Sequence, residues 1–467
     1  MRILESPAVD GQTAARGKGR HVAGYVICLL AFSFVVSSFY PGLMTADSIG
    51  NLSQGRQDSF SDINAPLMSY FWGRLDSVVP GPALIFVIHL AIFWAACALL
   101  WRSTSSRSFW LGIALVVFGL APHILAQTVV VWKDVALGVS LLMAVALLYF
   151  ARTSRNKIAL MISPLFLFYG FAARLNALPA VLPIAIWTGF VTFELFEIKG
   201  KRAAALLVGA GYFVLLCISV YVVNFRLTDG RTDHPFQQVY LYDLAGMSVE
   251  RNEPMFPNHV LNKPSFSFET VKSRYNERSV SDLIFPNVPN AGDVPPLRLT
   301  NMADEVDQLR TAWLSTIASD PIAYLKHRTR VFAQLIGVSR SVTAPYVANG
   351  FGDNPPEFRG GENFGYAALM RYFGAFGRPL TQTLFFRGAV WIVLFTALSY
   401  MAIKRRFTAD WDLVFVLSLS GLLFIFAYFP TTPSTEFRYL FWPAIASAVA
   451  MIFGVYLLRT ERAERTV

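Results

Sequence analysis

Charge is scarce in this sequence: Asp, Glu, Lys and Arg make up 15% of its 467 residues, where soluble domains carry about a quarter. With 54% hydrophobic residues and a mean hydropathy of +0.46, that deficit excludes an ordinary soluble protein and points to a membrane-embedded chain. Cysteine is sparser still. Cys28, Cys97 and Cys217 all lie inside apolar runs, which excludes a disulfide framework and leaves small buried thiols. The six histidines are scattered, and no CxxC, HExxH or His cluster occurs, so no structural metal is expected. An acidic or basic domain is missing too. The net charge of +10 would suit a polyanion, but the long polar segment 225–380 holds 16 Lys and Arg against 16 Asp and Glu. The basic excess lies in short loops between apolar runs, where it sets topology, so the expected partners are membrane lipids and not nucleic acid.

What is present is a series of apolar runs, each of the length that crosses a ~30 Å hydrocarbon layer. Ten occur, near 22–40, 81–101, 108–126, 133–151, 157–173, 176–195, 203–224, 381–402, 412–429 and 438–458. The first is too long for a signal-peptide core and lacks an A-x-A site after it, so it reads as an uncleaved helix. The loops alternate. One set is basic: Arg2 to Arg20, Arg102/Arg107, Arg152/Arg155/Lys157, Lys199/Lys201/Arg202, Lys404/Arg405/Arg406 and Arg459/Arg462/Arg465. The other set, 41–80, 127–133, 174–176 and 430–437, is poor in Lys and Arg. The positive-inside rule therefore predicts a multi-pass protein of the inner (cytoplasmic) membrane with both termini in the cytoplasm. The expected fold class is an all-α polytopic membrane protein of about ten helices, with a mixed extracytoplasmic domain. It divides into a membrane module 1–224 with its first outer loop 41–80, the outer domain 225–380, and a second membrane module 381–467. Within the outer domain, 321–337 is amphipathic and suits either an interfacial helix or packing inside the domain. Tyr240, Tyr242 and Asp243 fit a packed amphipathic segment better than an acceptor site.

Ionisable residues collect at the ends of the runs that face outward: Asp47 in "MTADSIGNLSQ", Lys133 and Asp134 in "VVVWKDVAL", Arg174 and Asn176 in "AARLNALP", Glu436 and Arg438 in "TTPSTEFRYLFWP". Such groups are costly at a membrane boundary and usually face a wet cavity or a protein interior. The inner ends show mainly solvated Lys and Arg. Asp47 also suits a helix N-cap, with Ser48 and Asn51 in the first turn. An acid with several cations at the mouth of a helical bundle suits chemistry on a phosphate-linked lipid. The carboxylate takes a proton from an acceptor hydroxyl, and the cations neutralise a phosphate leaving group. A sugar carried on a polyprenyl phosphate needs both, with Asp47 as base and Lys133, Arg174 and Arg438 on the phosphate.

Layout and motifs together resemble the GT-C superfamily of polytopic glycosyltransferases. "MTADSIGNLSQ" matches the first outer loop of that fold, which carries an essential acid. The "WKD" stretch resembles a motif of bacterial members, which implies Lys133 and Asp134 in the site. "EFRYLFWP" resembles the R-Y-x-x-P-like element before the last helix of protein-mannosyltransferase-like members, which brings in Tyr439, with Pro443 one place later than usual. The resemblance implies transfer of one sugar from a polyprenyl-phosphate donor to a glycan, lipid or protein acceptor on the outer face, with inversion. Asp47 is followed by Ser48, where many members show a second acid. Either Asp134 supplies the second carboxylate or one suffices, and a divalent metal is not expected as cofactor. The alternatives are a transporter or flippase of lipid-linked glycans and a non-catalytic assembly subunit. The few ionisable residues at mid-bilayer argue against a transporter.

Overall fold

The computed structural model describes residues 7–64, 66–105, 107–200, 202–286, 293–338, 350–380, 384–407 and 410–465. Among them every regular element is a helix, and the only β-type pairings are two isolated bridges.

A long helix α1 (Pro7–Phe39) leads to two short ones, α2 (Ala46–Gln57) and α3 (Pro66–Asp76), before α4 (Ala83–Thr104). The third apolar run is broken into α5 (Phe109–Val117), extended by one 3₁₀ turn to Leu120, and α6 (Pro122–Thr128), which meet at 58°. Pro122 explains the break, because it lacks an N–H and holds Ala121 in an extended conformation. Next come α7 (Lys133–Ser154), α8 (Lys157–Ala173), α9 (Leu178–Leu195) and α10 (Arg202–Leu227). The polar segment contributes α11 (Gln237–Arg251), α12 (Asn258–Leu261), α13 (Phe268–Arg274), α14 (Ser281–Ile284), α15 (Ala303–Ser319), α16 (Pro321–Leu335) and α17 (Phe364–Leu380). The chain closes with α18 (Gly388–Lys404), α19 (Trp411–Thr431) and α20 (Phe441–Arg465).

Seven of these helices are long and apolar enough to cross a membrane, and the bent pair α5–α6 is an eighth if it forms one span. This is a polytopic membrane protein. All ten apolar runs of the sequence fall on apolar helices, but α8 and α18, at 17 residues each, are too short to count among the candidate spans, so the described residues give seven or eight where ten were expected. The run 381–402 is displaced: 381–383 lie outside the described residues, and the helix starts at Gly388. Buried fraction places the helices, since 94% of the apolar window of α7 is buried and only 17% of that of α10. α7 is the central post, and α10 lines the periphery.

The first loop, in which a helix beginning at Asp47 is one expectation, folds as the α2–α3 pair. The two helices approach through Gly55 and Gly73, where an added Cβ would meet opposing backbone at 2.5 and 2.4 Å. Among its described residues the segment 225–380 is helical and not mixed; a second core is built on Leu241, Leu244, Leu309 and Val331, while Phe351, Tyr366 and Phe373 belong to the main core. At its centre lies Asp243, fully buried, with Arg328 Nε at 2.7 Å, His327 Nε2 at 3.0 Å and Trp313 Nε1 donating at 2.8 Å. Tyr242 and Asp243 are interior groups, as the amphipathic pattern suggested. α16 packs into this core and against α19, while Ile322 and Leu325 on its far side stay exposed. The cysteines remain free thiols, Cys28 and Cys97 buried and Cys217 half-buried.

Candidate functional site

The residues around Asp47 are bolted to the strand-like stretch before α7. Leu43 bridges Val130 in parallel, with Leu43 N donating to Val129 O (3.0 Å) and Val131 N to Leu43 O (2.9 Å). The Ser48 hydroxyl donates to Val131 O at 2.7 Å, and Trp132 Nε1 to Thr45 Oγ1 at 2.8 Å. The N-cap of α2 is Thr45, not Asp47, which sits in the first turn. There the unpaired N–H groups of the helix end favour an acid. From the other side Asn354 clamps the loop, accepting from Met44 N (2.8 Å) and donating to Gly42 O (2.9 Å).

The connection between α19 and α20 is held by the 225–380 segment. Fully buried Arg328 donates to Thr432 O (2.8 Å), capping the end of α19. Ser279 pairs with Ser434 in an antiparallel bridge, through Val280 N to Pro433 O (2.9 Å) and Thr435 N to Arg278 O (2.8 Å). Glu436, Arg438 and Tyr439 follow directly. Arg438 forms ion pairs with both Asp47 and Glu436, and its guanidinium lies 5.1 Å from the Trp132 ring. Arg174 pairs with Asp134, both buried, and donates to Asn176 Oδ1 at 2.9 Å. Tyr439 links the two centres, with the Arg174 guanidinium 4.7 Å and that of Arg438 5.6 Å from its ring. Tyr428 stacks on Tyr439 at 5.3 Å, and its hydroxyl accepts from Asn176 at 3.1 Å.

Beside these pairs opens a cleft of about 470 Å³ between the first loop, the start of α7, the 173–176 turn and the start of α11. Of the residues singled out in the sequence, Lys133, Arg174, Asn176 and Tyr439 line it; Asp47, Asp134, Glu436 and Arg438 do not. Asp134 sits behind Arg174, and its Oδ2 makes no hydrogen bond among the described residues. Lys133 donates to the Ile63 carbonyl at 3.3 Å. The sequence reading assigned no role to Tyr428, hidden in the apolar run of α19, to the cleft-lining Gln238, or to Asp62, one of three further acids of the first loop with Asp58 and Asp76.

Burial raises the Asp47 carboxyl, but the charges of Arg438 and Lys133, the Arg438 hydrogen bond and the charge of Arg174 more than offset it. The group lies below its ordinary value of 3.8. Asp47 is thus ionised at neutral pH, and a weak base for as long as Arg438 holds it. Among the described residues no group of three or more His, Cys, Asp or Glu is arranged to hold a metal ion.

The end of the bundle opposite the cleft differs from expectation. It carries more than solvated Lys and Arg, because Arg107 and Arg152 converge there on Asp410, and Arg152 also on Asp412. No family model, curated protein or solved structure matches this chain, so the chemistry of the site rests on its own residues.

Proposed function

We propose that the protein is a GT-C-like glycosyltransferase that moves a sugar from a polyprenyl-phosphate donor to an acceptor outside the cytoplasm. The observation that carries this reading is the convergence of Lys133 and Arg174 on one cleft of about 470 Å³, at a bundle end where Arg438 holds Asp47. A phosphate needs the cations, a sugar fits the volume, and a prenyl tail needs the surrounding apolar helices. In the accompanying topology, α8, α18 and the bent pair also span, giving ten crossings of the cytoplasmic membrane. Both termini are cytoplasmic and the 225–380 segment lies outside, in keeping with the alternating loop charges.

The reaction balances as a direct displacement. The acceptor oxygen attacks C1 of the sugar, and Asp47 takes the acceptor proton. The C1–O bond to phosphate breaks with its electron pair leaving on the polyprenyl phosphate, where Lys133 and Arg174 offset the charge. Arg438 serves as the switch between states. While it pairs with Asp47 the base is weak, and an incoming phosphate that draws the guanidinium away strengthens it. Asp134 acts through Arg174 as a positioning residue.

Wild type and Asp47→Asn, purified in detergent, are given a panel of polyprenyl-phosphate sugars, and release of polyprenyl phosphate is followed. Wild type is expected to release it, and a folded Asp47→Asn to lose activity by about 10²- to 10⁴-fold. A folded variant with full activity removes Asp47 from the mechanism. A wild type inactive on every donor that moves lipid-linked glycan across vesicles makes the protein a transporter.

A further inference from the structure

The first loop carries four acids, and three are held by cations: Asp47 by Arg438, Asp58 by Arg74 (3.0 Å) and Asp76 by Arg56 (2.9 Å). The fourth, Asp62, lines the cleft. Its oxygens accept from neutral donors, the Thr232 hydroxyl on Oδ2 and the Asp233 N–H on Oδ1 at 2.8 Å. No ion pair to Asp62 occurs among the described residues. A carboxylate oxygen accepts about two hydrogen bonds, so each oxygen keeps a free acceptor direction. The next residue, Ile63, receives the Lys133 ammonium on its carbonyl at 3.3 Å, and that ammonium has two further donors. A carboxylate and a cation, neither in an ion pair among the described residues, therefore stand next to each other on the cleft wall. One compact ligand can satisfy both.

With Lys133 and Arg174 alongside, a cationic ligand is repelled. The group that Asp62 receives is a neutral donor, and a hydroxyl fits. We infer that Asp62 is the specificity-determining residue of the cleft, accepting a hydroxyl of the transferred sugar while Lys133 and Arg174 hold that sugar's phosphate. The inference rests on the glycosyl-transfer reading and deepens it by assigning sugar selection to a residue other than the base. A site that bonds a hydroxyl prefers the ligand that carries it over one that lacks it, because that hydrogen bond is then lost. Asp62 also clasps the first loop to the start of the 225–380 segment through Thr232, so recognition and clasp have to be separated.

The full chain in detergent is titrated with decaprenyl phosphate and with decaprenyl-phosphate mannose, glucose and arabinose. Wild type is expected to bind one sugar-bearing lipid at least about 10-fold more tightly than the bare lipid. Asp62→Ala, and the near-isosteric but apolar Asp62→Leu should Asp62→Ala not fold, reduce that preference to under about 2-fold and leave affinity for bare decaprenyl phosphate unchanged. Thr232→Val, which removes the clasp donor and keeps the carboxylate, retains the preference. A preference that survives in the Asp62 variants, one lost equally in Thr232→Val, or a wild type that binds all four lipids alike overturns the assignment of Asp62. A wild type that binds none of the four overturns the transfer reading itself.

Discussion

At the end of the bundle opposite the cleft, Asp410 accepts from Arg107 at 2.6 Å, from Arg152 at 2.7 Å and from the Tyr149 hydroxyl at 2.9 Å. Asp412 pairs with Arg152 and accepts from Trp187 Nε1 at 2.9 Å. These charges close on one another, and the side chain of Asp410 is 5% exposed. At the cleft end Arg174 and Asp134 close in the same way, but other groups stay open: Asp47 keeps 40% of its side chain exposed and Glu436 37%, while Lys133 faces the cavity without an ion pair among the described residues. Charged pairs at helix ends are therefore common to both faces. What distinguishes a site is charge left over beside a cavity, because uncompensated charge is available to a ligand and compensated charge is available only to the fold.

The largest effect that would test this contrast is on stability at the closed end. Arg152→Met leaves Asp410 and Asp412 short of a cation, and we expect a loss of about 3–5 kcal/mol, read by chemical unfolding in detergent, with activity per folded molecule intact. An unchanged unfolding midpoint would show that this network is not closed. At the open end, Lys133→Gln is expected to raise the KM for the donor by about 10- to 100-fold, the worth of one charge-assisted hydrogen bond, with stability near wild type. Asp47→Asn should cost under about 1 kcal/mol of stability, since its partly exposed pair is screened, and its loss appears in activity.

The pH dependence sharpens the same point. Asp47 is held below its ordinary value of 3.8. Its pair with Arg438 therefore contributes stability above that value and loses it as pH falls through the depressed pKa. Arg438→Gln removes the main offset and leaves burial, so the acid limb of the kcat/KM profile should move to higher pH. A profile that stays in place would break the assignment of Asp47 as the base. The smallest effect concerns Asp58 and Arg74, both about 60% exposed. Asp58→Asn should not move Tm measurably, since Asn also tolerates the left-handed conformation found there (φ 49°).

The membrane helices were legible because the cost of placing a run in hydrocarbon is summed over that run alone. The bend at Pro122 was not anticipated from run length, although its cause is local. The start of α2 was an expectation of the sequence, but α3 and the pairing were not, because the helices are short and their packing depends on the mutual approach of Gly55 and Gly73. Within the site, residue types at the ends of runs pointed to Lys133, Arg174 and Asn176, and the family resemblance of "EFRYLFWP" pointed to Tyr439; these do meet in the cleft. Asp62 and Tyr428 were not found, since one looked like any loop acid and the other like any aromatic of an apolar helix.

By itself the sequence determined that the chain is a multi-pass helical protein with polar groups gathered at run ends, since hydropathy and length are properties of contiguous residues. Only the tertiary structure decided which acid faces the cleft and which is spent on a cation. Asp47 and Arg438 are 391 residues apart. Arg328 of the polar segment holds the carbonyl of Thr432 across 104 residues. Such pairings follow from where helices end in space, and an electrostatic partner is chosen by distance in three dimensions, not by position along the chain.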